Sequence, residues 1–305
     1  MRKKYHMVSA MVLAAVLSLT ACGTNNNHSQ QNPNHIDQNK TDSNEEQDGL
    51  NTKGAVYTNL GDEETQEEVK NLLIEAGVKQ ETANEFITWV KDYNSSIISQ
   101  ALPVAGYKNV GKDPLDYSEF IVKEEYREDG SMVSGMNCRL TAYLLFNQFI
   151  ETKQNLTDYD PYIMFDVECI DLDKKFEKFD REKFVTIFEP VSVKAESSLQ
   201  EQSEAIAAAW QERGIAIQDN DKISLITMYL HDSYENKRFV GHAGVMLNLK
   251  DGVLLVEKYG WNEPFQATKF ENEQDMVNYL LNRPDLAGDG TEKPVIVLKN
   301  NTVVN

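Results

Sequence analysis

The run of residues 138–150, CRLTAYLLFNQFI, constrains the fold more than any other stretch, because it is apolar on almost every side of a helix. A helix of that kind must be covered by protein over most of its surface. Asn137 stands directly before the run and is a residue type that commonly caps a helix N-terminus. The sequence therefore predicts a buried central helix that begins at Cys138.

Two further helices are predicted before this central one. The run GDEETQEEVKNLLIEAG offers Asp62 as a cap, acidic residues in the first turn, apolar residues at helical spacing and Gly77 as a stop. Residues 80–94 repeat the spacing of an amphipathic helix. We expect the two helices to pack as a hairpin at the front of the domain.

The C-terminal part has the alternating pattern of strands. Three runs, KISLITMYLHD, RFVGHAGVMLNL and GVLLVEKYGW, predict an antiparallel meander with an NLKDG turn between the last two. Earlier strands are expected near residues 161–170 and 184–193, and a helix over residues 199–213. A helix ENEQDMVNYLLN and a strand KPVIVLK complete the chain. One buried helix against a late antiparallel sheet indicates an α+β fold.

The first 22 residues have the features of an export signal. Three basic residues precede the apolar stretch MVSAMVLAAVLSL, which is too short to span a bilayer permanently, and LTAC closes the signal at Cys22. This resembles a bacterial lipoprotein signal, which is cut before the cysteine and followed by attachment of a diacylglyceryl group to its sulfur. The resemblance implies a protein held to the membrane by lipid on Cys22, at the outer face of the bacterial cytoplasmic membrane.

The stretch that follows the signal is rich in Asn, Gln, Asp and Ser and almost free of apolar residues, so it predicts a flexible tether. We therefore expect a signal peptide at 1–21, the lipidated cysteine and tether at 22–54, and a single α+β domain at 55–305. Within that domain, residues 55–110 are expected to form a helical N-terminal part and residues 130–305 the catalytic core.

The charge of the chain restricts its partners. The formal net charge of -19 repels phosphate backbones, so nucleic acid is excluded as an expected partner. The sequence contains no P-loop, no GxGxxG motif and no cysteine or histidine pair at zinc spacing, so we expect neither a metal nor an organic cofactor. The acidic residues between 158 and 173 lack the spacing of a calcium loop and indicate a solvated face. A monomer is expected.

Beyond Cys22 the chain has two cysteines, Cys138 and Cys169. In an oxidising exterior two cysteines can form one disulfide. Cys169 lies in YIMFDVECIDL, which alternates like a strand, whereas Cys138 opens a helix. The sequence does not give the separation of the two Cα atoms, so the disulfide stays open.

Cys138 is the candidate nucleophile. At the start of a helix, unpaired amide groups and the positive end of the helix dipole face the sulfur, which lowers the pKa of the thiol. The same amides, with Asn137 as a possible contributor, would stabilise an oxyanion on a substrate. His242 stands in VGHAGVML among small residues, so its imidazole is accessible as a general base.

A third residue is needed to orient the imidazole, and the next strand offers Glu257 and Asn262. Glu257 is preferred, because an acid among Leu and Val residues is costly to bury without a partner. Pairing of Glu257 with Lys258 or Lys237 is the alternative. Asn262 is the second choice for the orienting residue.

The hairpin register decides between these possibilities. A four-residue loop at 248–251 places His242 directly opposite Glu257, with both side chains on one face. A two-residue turn at 251–252 instead places His242 opposite Trp261. The sequence leaves both registers open.

A cysteine on a buried helix tip, a histidine on an antiparallel strand and a polar residue on the next strand resemble the papain-like cysteine hydrolases, including the NlpC/P60 cell-wall peptidases. The resemblance implies Cys138 as nucleophile, His242 as base and Glu257 or Asn262 as the third member. The chain departs from the NlpC/P60 pattern, which is usually Asp-Cys-Ser-Gly, because it reads NCRL around Cys138.

The stretches GMNCRLTAYLLFNQF and VEKYGWNEPFQATKF also resemble an uncharacterised family of Gram-positive surface lipoproteins with a domain of unknown function. We expect a cysteine amidase or peptidase acting on cell-wall peptide or another extracellular amide. The alternative is a non-catalytic surface module that keeps the fold to bind a peptide, a glycan or a partner protein. In that case Cys138 is a packed core thiol.

Overall fold

The computed structural model of the protein describes residues 54–305, apart from 112, 124, 133–135 and 288–289. The expected signal peptide, Cys22 and all but the last residue of the expected tether lie outside the described residues. Within the described part, no helix combines the length and the apolar character that crossing a membrane requires. The helices found there are α1 (Glu63–Glu75), α2 (Gln80–Ser96), α3 (Cys138–Phe146), α4 (Met164–Leu172), α5 (Arg181–Phe188), α6 (Leu199–Glu212), α7 (Glu273–Leu281) and α8 (Pro284–Ala287).

The strands form one large antiparallel sheet in the order β11-β10-β6-β7-β8-β9-β1-β2, with β4 on part of β7, and a separate pair of β3 and β5. Together with the helices, this makes a mixed α+β fold, as the sequence predicts. The strands are β1 (Val56–Thr58), β2 (Lys108–Asn109), β3 (Ile150–Glu151), β4 (Val191–Ser192), β5 (Ala216–Ile217), β6 (Ile223–Asp232), β7 (Lys237–Asn248), β8 (Val253–Lys258), β9 (Phe265–Phe270), β10 (Ile296–Lys299) and β11 (Thr302–Val303).

The central helix α3 is buried, as its sequence predicts. It packs against β7 and β8 on one side and against α2 on the other. Leu140 and Leu144 of α3 share a core with Val245 and Val256 of the sheet. The other face of the sheet carries a second core that includes Met276 from α7. The sheet therefore lies between α3 and α7, and the residues of the candidate site come from both sides.

The two strands predicted at 161–170 and 184–193 are wrong, because these segments are mostly helical. Asp160 caps a short 3-10 turn at Pro161–Ile163 that leads into α4, and Asp180 caps α5. The alternation of apolar residues in YIMFDVECIDL suggests a strand, yet the buried positions, Ile163, Val167 and Ile170, follow the 3.6-residue period. Packing of these three residues against the core therefore stabilises a helix in this segment rather than a strand.

The N-terminal part, residues 55–110, is not only helical. α1 and α2 form the expected hairpin, but β1 pairs with β9 and with β2 at the end of the large sheet. Three residues of β1 cover the otherwise open edge of β9. This pairing joins segments more than 200 residues apart in the chain, such as Val56 and Lys269, and no local pattern indicates it.

Candidate active site

Cys138 occupies the first position of α3, with Asn137 as the cap. The Asn137 side chain accepts a hydrogen bond from the amide of Leu140 at 3.0 Å, and its carbonyl accepts one from the amide of Thr141 at 3.0 Å. In an α-helix the first amides have no partner within the helix. The cap therefore leaves the amides of Cys138 and Arg139 for another acceptor.

A buried aspartate fixes this end of α3. Asp166 of α4 accepts hydrogen bonds from Arg139 Nε at 3.1 Å and from Asn137 Nδ2 at 2.7 Å. Arg139 Nη1 also donates to the carbonyl of Val240 on β7 at 2.7 Å. Because Nδ2 of Asn137 is bound to Asp166, the side chain of Asn137 acts as a cap and is not free to bind an oxyanion. The prediction of a solvated acidic face is wrong for Asp166, which is fully buried.

His242 lies where β7 has a bulge. Met228 of β6 pairs with His242 and Tyr229 pairs with Val240, so Gly241 is an extra residue in β7. The pairing of β7 with β8 ends at Gly244 and Glu257, two residues after His242 in β7. The edge of β7 is open at this point, and the Cys138 sulfur lies 4.0 Å from the Gly241 carbonyl oxygen there.

Glu257 contacts His242, although both predicted registers are wrong. The hairpin loop spans residues 249–252, so Glu257 pairs with Gly244 and not with His242. The two side chains meet diagonally, with His242 Nε2 and Glu257 Oε2 2.5 Å apart. Nε2 is therefore occupied, and Nδ1 is the ring nitrogen left for the sulfur of Cys138.

Arg283, which the sequence analysis missed, completes the cluster. Its Nη1 lies 2.7 Å from Glu257 Oε2 and 3.4 Å from His242 Nε2. The guanidinium stacks on the ring of Tyr259 at 3.7 Å and also bonds Asp285 at 2.7 Å. The sequence gives one indication of such a residue, because Glu257 is an acid in a buried strand and a buried acid requires a cation nearby. Arg283 follows the last residues of α7 and cannot be assigned to Glu257 from spacing alone.

The electrostatics of the cluster favour a charged pair. Burial raises the pKa of the Cys138 thiol, but the charge of His242, a hydrogen bond with its ring and the charge of Arg139 together bring this pKa below its ordinary value. Burial and the charge of Arg283 lower the pKa of His242, whereas Cys138 and Glu257 raise it, to about 9. The opposite shifts favour transfer of the thiol proton of Cys138 to the imidazole of His242.

Glu257 itself stays ionised. Burial raises the pKa of Glu257, but the charges of Arg283 and His242 and their hydrogen bonds outweigh burial and bring this pKa below its ordinary value. The carboxylate therefore carries the negative charge that faces the imidazolium.

The other residues considered from sequence lie elsewhere. Asn262 is exposed, and its backbone carbonyl accepts a hydrogen bond from Tyr93. Lys258 is buried and donates to the carbonyls of Gly260 and Trp261 at 2.7 and 2.9 Å. Lys237 pairs with acidic residues away from Glu257. None of the three orients His242.

The remaining cysteine does not take part in the cluster. Cys169 lies on α4, and both it and Cys138 are free thiols in the described part of the chain. Burial and the neighbouring acids Asp166 and Asp173 raise the pKa of Cys169 to about 12. No group of three or more His, Cys, Asp or Glu side chains suited to hold a metal ion occurs among the described residues.

A family model described as a domain of unknown function, DUF4300, matches residues 56–304. No curated protein matches the chain, and no solved structure does.

Proposed function

The chain belongs to the DUF4300 family of domains of unknown function, and we propose from its site that it is a cysteine amidase or peptidase with a papain-like arrangement. One observation carries the proposal. The imidazole of His242 lies between the Cys138 sulfur, at the tip of the buried helix, and the carboxylate of Glu257. A nucleophile, a base and an orienting acid in contact are the parts that acyl transfer needs.

In the proposed reaction the Cys138 thiolate attacks the carbonyl carbon of an amide, and a carbon–sulfur bond forms. The oxygen of the tetrahedral intermediate takes the negative charge, and the amides of Cys138 and Arg139 at the start of α3 stabilise it. The carbon–nitrogen bond then breaks as the His242 imidazolium donates its proton to the departing nitrogen. An amine leaves, and a thioester on Cys138 remains.

Water completes the cycle. Neutral His242 accepts a proton from a water molecule as the water oxygen bonds to the acyl carbon. The carbon–sulfur bond breaks, the carboxylic acid leaves, and the thiolate and imidazolium are restored. Glu257 keeps the ring oriented and stabilises its charge through both steps, and Arg283 holds Glu257.

The proposed location rests on the N-terminal sequence. Leu19, Thr20, Ala21 and Cys22 resemble a lipoprotein signal, so we place the protein on the outer face of the bacterial cytoplasmic membrane, held by lipid on Cys22. Peptides and other amides outside the cell, including those of the cell wall, are the substrates within its reach.

A chromogenic ester tests the proposed chemistry without knowledge of the natural substrate. Mixed with p-nitrophenyl acetate, the full chain should release a burst of about one equivalent of nitrophenolate as Cys138 is acetylated. Cys138→Ser should remove the burst, whereas Cys169→Ser, which changes the other described thiol, should keep it. Stopped-flow absorbance and mass analysis of the Cys138 peptide provide the readout.

A second candidate function is a binding module, which the low exposure of Cys138, 7%, favours. In that case the wild-type chain shows no burst, or a burst that Cys138→Ser leaves unchanged. Either result would overturn the hydrolase proposal and leave ligand binding as the better account.

A further inference from the structure

An apolar surface runs outward from the catalytic pair along β6, β7 and the start of α4. We propose that it is a subsite that binds an apolar or aromatic side chain of the substrate, next to the bond that Cys138 attacks. This inference rests on the proposed function and names its substrate class. We assign Leu230, Phe239, Tyr162 and Phe165 to this surface, which is called the apolar subsite below.

The subsite begins at the bulge beside His242. The side chain of Leu230 fills the space that a Cβ on Gly241 would need, so a glycine is required there and Leu230 lies against the backbone that precedes His242. The carbonyl of the same glycine is the group that faces the Cys138 sulfur at 4.0 Å. Leu230 packs against the core on the α7 face of the sheet and is only partly buried, so part of its apolar surface stays exposed beside Gly241.

Two stacked rings extend the surface. Phe239 pairs directly with Leu230 across β6 and β7, which places both side chains on the same face of the sheet. The ring of Tyr162 stacks on that of Phe239, with centroids 4.5 Å apart and planes 25° apart. Both rings are half-exposed. The Lys237 ammonium lies 5.7 Å from the centre of the Tyr162 ring, and the Tyr162 hydroxyl donates to Asp232. These contacts hold the ring in place, and the ring atoms of the pair that stay exposed present a rigid apolar wall.

Phe165 continues the wall on α4. It stands three residues after Tyr162, a spacing that puts the two side chains on the same side of a helical segment. The next residue, Asp166, holds Asn137 and Arg139 on either side of Cys138, so this turn of α4 adjoins the nucleophile. Phe165 is 67% exposed. In our assignment Phe165 extends the apolar surface of the stacked pair and Leu230, and a contiguous apolar surface of this kind marks a site of contact with a ligand.

The charges around the subsite are already paired. Arg139 is bound by Asp166, and Lys237 lies 2.6 Å from both Asp160 and Glu235. Asp232 accepts hydrogen bonds from the Tyr162 hydroxyl and from the amides of Tyr234 and Glu235. The groups left to meet a substrate side chain are therefore carbon atoms of rings and of Leu230. A charged side chain would lose water there without gaining a partner, so the preferred substrate carries an apolar or aromatic one.

A pair of alkylating probes tests the subsite. Iodoacetamide and N-benzyl iodoacetamide share one reaction, in which the sulfur displaces iodide, and differ in the benzyl group. We expect Cys138 to react about tenfold faster with the benzyl probe, the factor that follows from removing about 60 Å² of apolar surface from water. Peptide mass analysis after limited labelling of the full chain gives the rate at each cysteine.

Variants of one helix supply the control. Phe165→Ala should lower the ratio of the two rates to about threefold or less, whereas Leu172→Ala, which removes a side chain 75% exposed two turns further along α4, should leave it unchanged. A wild-type ratio near one, or equal ratios in the two variants, would overturn the subsite. The absolute rate with iodoacetamide tests the proposed function separately, because that probe has no side chain to place in the subsite.

Discussion

Glu257→Gln should lower the free energy of unfolding by about 3 kcal/mol and slow alkylation of Cys138 by about 100-fold at neutral pH. The amide has nearly the same shape as the carboxylate but no charge, so the buried guanidinium of Arg283 loses its main partner and keeps the half-exposed Asp285 as its remaining carboxylate. The imidazolium of His242 loses the same charge. Urea denaturation and iodoacetamide labelling measure the two effects.

The stability effect should depend on pH. The pKa of Glu257 is lowered in the folded protein by Arg283 and His242, after burial alone has raised it. A carboxylate with a depressed pKa adds stability above its unfolded pKa, and that stability is lost as the pH falls through the folded pKa. The difference between wild type and Glu257→Gln should therefore be largest at neutral pH and shrink in acid.

Two variants separate the roles of Glu257. Glu292→Ala breaks a second histidine–carboxylate contact, between His231 Nδ1 and Glu292 Oε2 at 2.5 Å, but that acid is 39% exposed. The loss in the free energy of unfolding should therefore be below about 1 kcal/mol.

Glu257→Leu combined with Arg283→Met removes both buried charges and should recover much of the stability but none of the reactivity. Recovery of reactivity in that double variant would contradict the orienting role.

Asp166→Ala should have the second largest effect. It leaves Arg139, whose side chain is mostly buried, without its carboxylate, and it frees the Asn137 side chain that caps α3. We expect a loss of about 3 kcal/mol in the free energy of unfolding and a slower reaction of Cys138, because the tip of α3 is no longer held. Urea denaturation measures the loss of stability, and the rate of alkylation measures the reaction of Cys138.

The matched control for Asp166 lies on the same helix. Asp171 bonds Arg181 at 2.9 Å, but both side chains reach solvent, so Asp171→Ala should cost below about 1 kcal/mol and leave Cys138 unchanged. An equal loss of stability in the two variants would show that burial of the Asp166 pair is not the source of the effect. Unchanged reactivity in Asp166→Ala would show that it does not position Cys138.

Local sequence patterns predict much of the fold and part of the candidate site. Asn137 predicts where α3 begins, because capping and the apolar run both act within a few residues. The same reasoning finds α1, α2, α6 and the meander. Local patterns also place Cys138 at the start of a helix and His242 on a strand, because both positions are determined by neighbouring residues in the chain.

Long-range contacts account for what the sequence analysis missed. Arg283 meets Glu257 from 26 residues away, and Asp166 meets Arg139 from 27 residues away; no local period relates either pair. The register of β7 and β8 depends on a loop in which Leu249 bonds Gly252, a residue at φ +100°. A shift of that loop by one residue would change every cross-strand residue pair in the hairpin. The bulge at Gly241 changes the direction of the His242 side chain, and the simple alternation of a strand does not predict this change.

The central claim is that His242 holds Cys138 as a thiolate, and the pH dependence of alkylation tests it most directly. Iodoacetamide rates at Cys138 are measured from about pH 4 to about pH 10 in the wild type and in His242→Ala, with Cys169 as the internal reference. We predict a wild-type midpoint well below the ordinary thiol value of about 8.5, a rate that stays flat through neutral pH, and a midpoint at least about two pH units higher in His242→Ala. A wild-type midpoint at or above the ordinary value, or one that His242→Ala leaves in place, would contradict the account.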